Sequence, residues 1–162
     1  MLFRIQNILK KLIIRYFFLF IPVVLCFSQV TTPEAYLGYK PGDDFHLATY
    51  GQLAGYFEQI AKETDRIQVF DMGPTSMGKR MKYAIISSED NMVQLKKYQE
   101  ISRKLSMARD LSEQEAQSLA NEGKVIVWID SGIHASETSP QMHQFQLAYD
   151  LVTGTDDFTR FI

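Results

Sequence analysis

His134 and Glu137 stand three residues apart in Gly132-Ile133-His134-Ala135-Ser136-Glu137, directly after the apolar run Val125-Ile126-Val127-Trp128-Ile129-Asp130. An imidazole nitrogen and a carboxylate oxygen are both zinc ligands. A catalytic zinc site takes three protein ligands and leaves a fourth position open for water or substrate. The pair therefore offers two of the three. An H-x-x-E spacing alone says little, and its context decides. Here it follows a strand-like run, at the carboxyl edge where open α/β sheets bind ligands. Ala135 and Ser136 are small, which leaves room for a metal and a substrate.

The other ionisable residues have plainer roles. His143 follows His134 closely enough to be mistaken for a third ligand. It falls outside the apolar stripe Met142, Phe145, Tyr149, Val152 of the same helix, next to Gln144, and reads as a solvated residue. His46 reads as solvated or packed in a loop. Glu58, Glu63, Asp65, Glu113 and Glu115 read as solvated faces or caps, and Lys79-Arg80 as a hairpin surface pair. Trp128 reads as core.

The elements that must position His134 and Glu137 are visible in the pattern. Thr49 and Gln52 form a capping box before Leu53, Phe57 and Ile60, predicting a helix over 50–63. Ile67 to Met72 and Met81 to Ser87 predict two strands joined by the turn 73–78. A helix is expected from Ser88 to about Leu105, and a second capping box at Ser112 and Glu115 starts another, which Gly123 should stop in the left-handed manner. The segment 125–130 is apolar on both faces, as in a central strand covered on both sides. Ser139, with Pro140 at the first helical position, should start the last helix. Helices alternating with strands predict an α/β domain: a mixed sheet with helices on both faces. A central strand needs a neighbour on each edge, because unpaired buried backbone groups are costly. One hairpin cannot supply both, so the fold is expected to be incomplete at the C-terminus, with the missing strands beyond Ile162.

Hydrophobic residues make up 46% of the chain and charged residues 22%, which places it among globular proteins. The first 28 residues belong outside the fold. Arg4, Lys10, Lys11 and Arg15 precede the apolar stretch from Tyr16 to Phe27, and Cys26 and Ser28 sit at the −3 and −1 positions of a cut before Gln29. That is a secretory signal pattern, too short for a stable membrane span. Residues 29–48 are an irregular lead-in, and 49–162 form the N-terminal part of the catalytic domain. The product is expected to be secreted or periplasmic. Losing residues 1–28 removes four basic and no acidic residues from a chain of net charge −2. A mildly acidic product has no electrostatic footprint for nucleic acid. The only cysteine, Cys26, leaves with the leader, so disulfides are excluded from the remainder.

The His134 segment resembles the first zinc-ligand motif of the M14 zinc carboxypeptidases, the carboxypeptidase A-like metallopeptidases. The resemblance runs through Tyr39-Lys40-Pro41-Gly42-Asp43-Asp44-Phe45, Tyr50, and Gly73-x-x-Ser76-x-Gly78-Lys79-Arg80, over about 36–153. It implies a mixed α/β sheet, a Zn2+ cofactor, a peptide or protein substrate, and hydrolysis of a C-terminal peptide bond by a zinc-activated water. It implies His134 as the first ligand and Glu137 as the second. A third ligand, a histidine, and the general base glutamate would lie beyond Ile162. The best-known members carry an arginine just before the ligand glutamate. Ser136 stands there instead, which marks a divergent branch. Two other readings stay open: a related zinc deacylase acting on N-acyl amino acids, and a non-catalytic remnant or binding module.

Overall fold

The computed structural model describes residues 29–134 and 136–160; the leader segment lies outside the described residues. The lead-in is less irregular than expected. Thr32 caps a five-residue helix α1, Pro33–Leu37, by accepting from the Ala35 N–H, and Gly38 closes it at φ 81°. Helix α2, Tyr50–Ile60, starts at the expected capping box of Thr49 and Gln52. Strands β1, Ile67–Pro74, and β2, Arg80–Ile86, form an antiparallel hairpin. Ile67 faces Ile86, and Phe70 stacks on Tyr83 at 5.1 Å between ring centroids. Register shifts at Met72, because Asp71 faces Lys82 and Gly73 already faces Met81. Gly73 absorbs that bulge at φ 97°.

Two helices replace the one expected after the hairpin. Ser88 caps α3, Glu89–Val93, and Gln94 (φ −99°, ψ 13°) separates it from α4, Leu95–Met107. Helix α5, Glu113–Glu122, carries the expected box of Ser112 and Glu115. Gly123 ends it in extended rather than left-handed backbone (φ −66°, ψ 178°). The glycine is needed there for space, since a Cβ would meet the Leu119 carbonyl oxygen at 3.0 Å and Ile101 Cγ2 at 3.1 Å. Helix α6, Thr138–Thr153, begins one residue before Ser139, with Glu137 as N-cap. Pro140 therefore sits at its third position, where an absent N–H still costs no helical bond. A short helix α7, Asp157–Arg160, follows.

The core lies where α2, α6 and the hairpin meet. Leu53, Tyr56, Ile60, Ile67, Phe145, Ala148 and Val152 are buried there, with Ala84 and Ile86 packed against them. Tyr56 and Phe145 rings lie 5.4 Å apart, and Tyr36 closes on Tyr56 at 5.2 Å. Burial pushes the Tyr56 phenol up, with smaller contributions from Tyr149, Glu63 and Asp150. Its hydroxyl donates to the Thr31 carbonyl at 2.9 Å. Glu63, expected on a solvated face, instead fastens the lead-in: both its oxygens accept from Thr31, through the N–H and the hydroxyl, at 2.7 Å. Arg66 binds the far side. Its guanidinium donates to the carbonyls of Ser87, Val152, Gly154 and Thr159 at 3.1–3.5 Å, joining the hairpin to the C-terminal end of α6.

The fold is α/β, with the sheet represented among the described residues by the hairpin. The segment 125–130 corrects one expectation. It joins no ladder, and Val125 is 93% exposed and Trp128 65%. Trp128 is not core; its indole N–H donates to Asp130 Oδ1 at 2.9 Å. An apolar sequence on both faces sets the capacity to be buried, whereas burial itself takes neighbouring strands and covering layers. None of the described elements brings these to the segment.

Candidate metal centre

The turn bearing His134 and Glu137 is built by three local features. Gly132 takes φ 106°, a region that favours glycine over residues with a Cβ, two residues before His134. The Glu137 N–H then donates to the His134 carbonyl at 3.0 Å, closing a tight turn. Glu137 finally enters α6 as its N-cap, yet its side chain makes no capping bond. A capping side chain is worth about 1 kcal/mol to a helix. Here the carboxylate is directed elsewhere: Oε2 lies 3.2 Å from His134 Nδ1. Both side chains are more than half exposed. The positive end of the α6 dipole favours an anion at this position.

This donor set fits zinc. Bonds of about 2.0–2.2 Å to nitrogen and oxygen place two tetrahedral ligands about 3.4 Å apart, close to the observed separation. The structure thus brings together the two residues singled out from sequence. Among the described residues, no group of three or more His, Cys, Asp and Glu side chains is arranged to hold a metal. His143 is exposed on α6 and His46 packs on Tyr39 at 4.5 Å, its Nδ1 2.9 Å from the Asp44 carbonyl. Ser136 is exposed in the turn.

The residues that hold the α6 end of the turn left no trace in the pattern. Gln141 Nε2 donates to the Ala48 carbonyl at 2.7 Å, and the Ala48 N–H donates to Met142 Sδ at 3.2 Å. The lead-in is thereby tied to the first turns of α6. Tyr50, two residues on, donates its hydroxyl to the Arg80 carbonyl at 3.0 Å, carrying the tie to the hairpin. Arg80 itself pairs with Asp71, at 2.6 Å, as a surface pair. The Gly73 N–H first, then Arg80, holds the Asp71 carboxyl below its ordinary range. A cavity of about 550 Å³ lies elsewhere, between α4 and α5, and shares no lining residue with the turn.

The sequence model of the family described as zinc carboxypeptidase (Peptidase_M14) matches residues 53–161. The chain belongs to the zinc carboxypeptidase family. The match spans most of α2, the hairpin, the His134 turn and α6, so the turn lies within the part the chain shares with its family. No curated protein and no solved structure gives a match. Membership makes a metal-dependent peptidase the kind of protein this is, and peptides its kind of substrate. Among the described residues, no helix is long and apolar enough to cross a membrane.

Proposed function

We propose that the chain carries the first two zinc ligands of an exported metallocarboxypeptidase, His134 and Glu137. The approach of His134 Nδ1 to Glu137 Oε2 on a turn inside the family match carries this reading. When bound, zinc supplies Lewis acidity toward a peptide carbonyl and activates water. The chain's own residues hold the site. Gly132 shapes the backbone two residues before His134, the turn bond fixes the spacing, and α6 anchors Glu137 while leaving its carboxylate uncapped. The leader pattern of residues 1–28 supports export to a secreted or periplasmic location. The exposed apolar side chains of the segment 125–129 support a catalytic domain that extends past Ile162, where a histidine ligand and a general base would be supplied.

The test has two arms. A zinc titration of this chain, followed residue by residue by NMR, should perturb amides 132–138 and show weak binding, as suits two ligands. His134→Ala should abolish the perturbation. Perturbation elsewhere, or tight stoichiometric binding that survives the substitution, overturns the ligand assignment. The second arm assays a version extended past Ile162 on peptides with free C-termini and on N-acyl amino acids. Preference for the latter would assign it as a deacylase. No hydrolysis of either by a zinc-loaded extended chain would leave the binding-module reading.

A further inference from the structure

We infer that Gln141 is a positioning residue for the metal centre: by clamping α6 to the backbone of Ala48, it sets where the Glu137 carboxylate stands. The inference rests on the reading of His134 and Glu137 as zinc ligands. Bonds to zinc hold to within about 0.2 Å, a tighter demand than core packing makes. Glu137 has little of its own to meet it. Its side chain makes no capping bond, its backbone at φ −95° and ψ 84° lies outside the helical region, and its side chain is more than half exposed. Its place must come from the helix that it caps.

Helix α6 is held along its length in different ways. Arg66 donates to the Val152 and Gly154 carbonyls at its far end. The first of its residues in the core cluster is Phe145. Glu137 stands eight residues before Phe145, about 12 Å of helix, so a tilt of about 5° there would carry it by about 1 Å. That is well beyond what a zinc bond tolerates. The clamp at Ala48 opposes this tilt. The Ala48 carbonyl accepts from Gln141 Nε2 at 2.7 Å, and the Ala48 N–H donates to Met142 Sδ at 3.2 Å. Thioether sulfur is a weak acceptor, so the Gln141 bond is the stronger of the two. The anchor is firm: Ala48 packs half-buried against the core, and Thr49 beside it closes the capping box of α2. Gln141 lies one turn beyond Glu137, on the side of α6 that begins with it.

The experiment compares Gln141→Met, which keeps the length and removes the donor, with the wild type and with Tyr56→Phe. The latter also removes one donor to a backbone carbonyl, but in the core, and so controls for lost stability. Two readouts are taken by NMR on the full chain. One is the NOE between the His134 ring and the Glu137 side chain without metal; the other is zinc affinity from amides 132–138. Gln141→Met should lose the NOE and weaken zinc about ten-fold, the low end of the cost of losing a group that orients a metal ligand. Its circular dichroism should be unchanged. Tyr56→Phe should keep both readouts at wild-type values. A Gln141→Met chain that keeps the NOE or the wild-type affinity, or equal losses in Tyr56→Phe, overturns the inference. Zinc that perturbs amides away from 132–138 in the wild type overturns the ligand reading instead, and the metal-free NOE still decides whether Gln141 places Glu137.

Discussion

Gly132 and Pro140 pack against each other across the metal-ligand turn: a Cβ at Gly132 would stand 3.2 Å from the Pro140 Cβ. The contact ties the backbone before His134 to the first turn of α6, so the two ends of the turn are held as one unit. With φ at 106°, position 132 is closed to alanine on two counts, backbone and space. Gly132→Ala should lower stability by roughly 1–3 kcal/mol and weaken zinc binding at His134. Chemical denaturation and the NMR zinc titration check the two effects separately.

Removing the Glu137 carboxylate tests the site without disturbing the helix. Because the side chain makes no capping bond, Glu137→Gln should leave the unfolding midpoint nearly unchanged. Zinc perturbation of amides 132–138 should be lost. A large drop in stability would mean that the carboxylate serves the fold rather than the metal.

Arg66 should prove structural. Arg66→Met keeps the length of the side chain and removes donors to four carbonyls. A loss of about 2 kcal/mol is expected, since hydrogen bonds from a charged donor exceed neutral ones. Amide exchange should quicken in 150–160 before it does in α2.

Acid should loosen the lead-in first. Partial burial pushes the Glu63 carboxyl up, but the bonds from Thr31 and Gln59 outweigh that and hold it below its ordinary value. In the unfolded chain a glutamate titrates near about 4.3. Below that value, down to the folded one, the unfolded state binds more protons, so stability falls as pH falls. The contribution is complete above about pH 4.3 and lost as pH drops through the folded value. Glu63→Gln should flatten that part of the acid profile, with the Thr31 amide exchanging faster at neutral pH.

Tyr56→Phe isolates one bond at the core. The ring is fully buried and its hydroxyl donates to Thr31. Loss of about 1 kcal/mol is expected, against about 3–5 kcal/mol for Phe145→Ala, which opens a cavity beside it. Urea titrations of both variants measure the contrast.

Features encoded by neighbours in the chain were legible in the sequence. The boxes at Thr49 and Ser112, the hairpin and the His134–Glu137 spacing are all local, and the structure places them as read. What depended on distant residues was not. Nothing near Arg66 announces four carbonyls gathered from three places, and nothing near Glu63 announces Thr31. Gly123 illustrates a finer limit: a glycine after a helix serves equally for left-handed backbone or for close packing, and only Ile101 and Leu119 decide which. The segment 125–130 reads as a buried central strand, yet in the structure it joins no ladder and stands exposed, because burial is a property of whatever lies beside it.

The Tyr56–Phe145 contact sets an order of events. The hairpin and helices α3 to α5 can form as soon as each leaves the ribosome, since their bonds are local. Helix α2 cannot bury its apolar face until α6 exists, and the tie from Gln141 to Ala48 bridges 93 residues. Loop closure over that span precedes any gain from the core. During synthesis the stretch from α2 onward therefore stays open and threadable until α6 emerges to close on it.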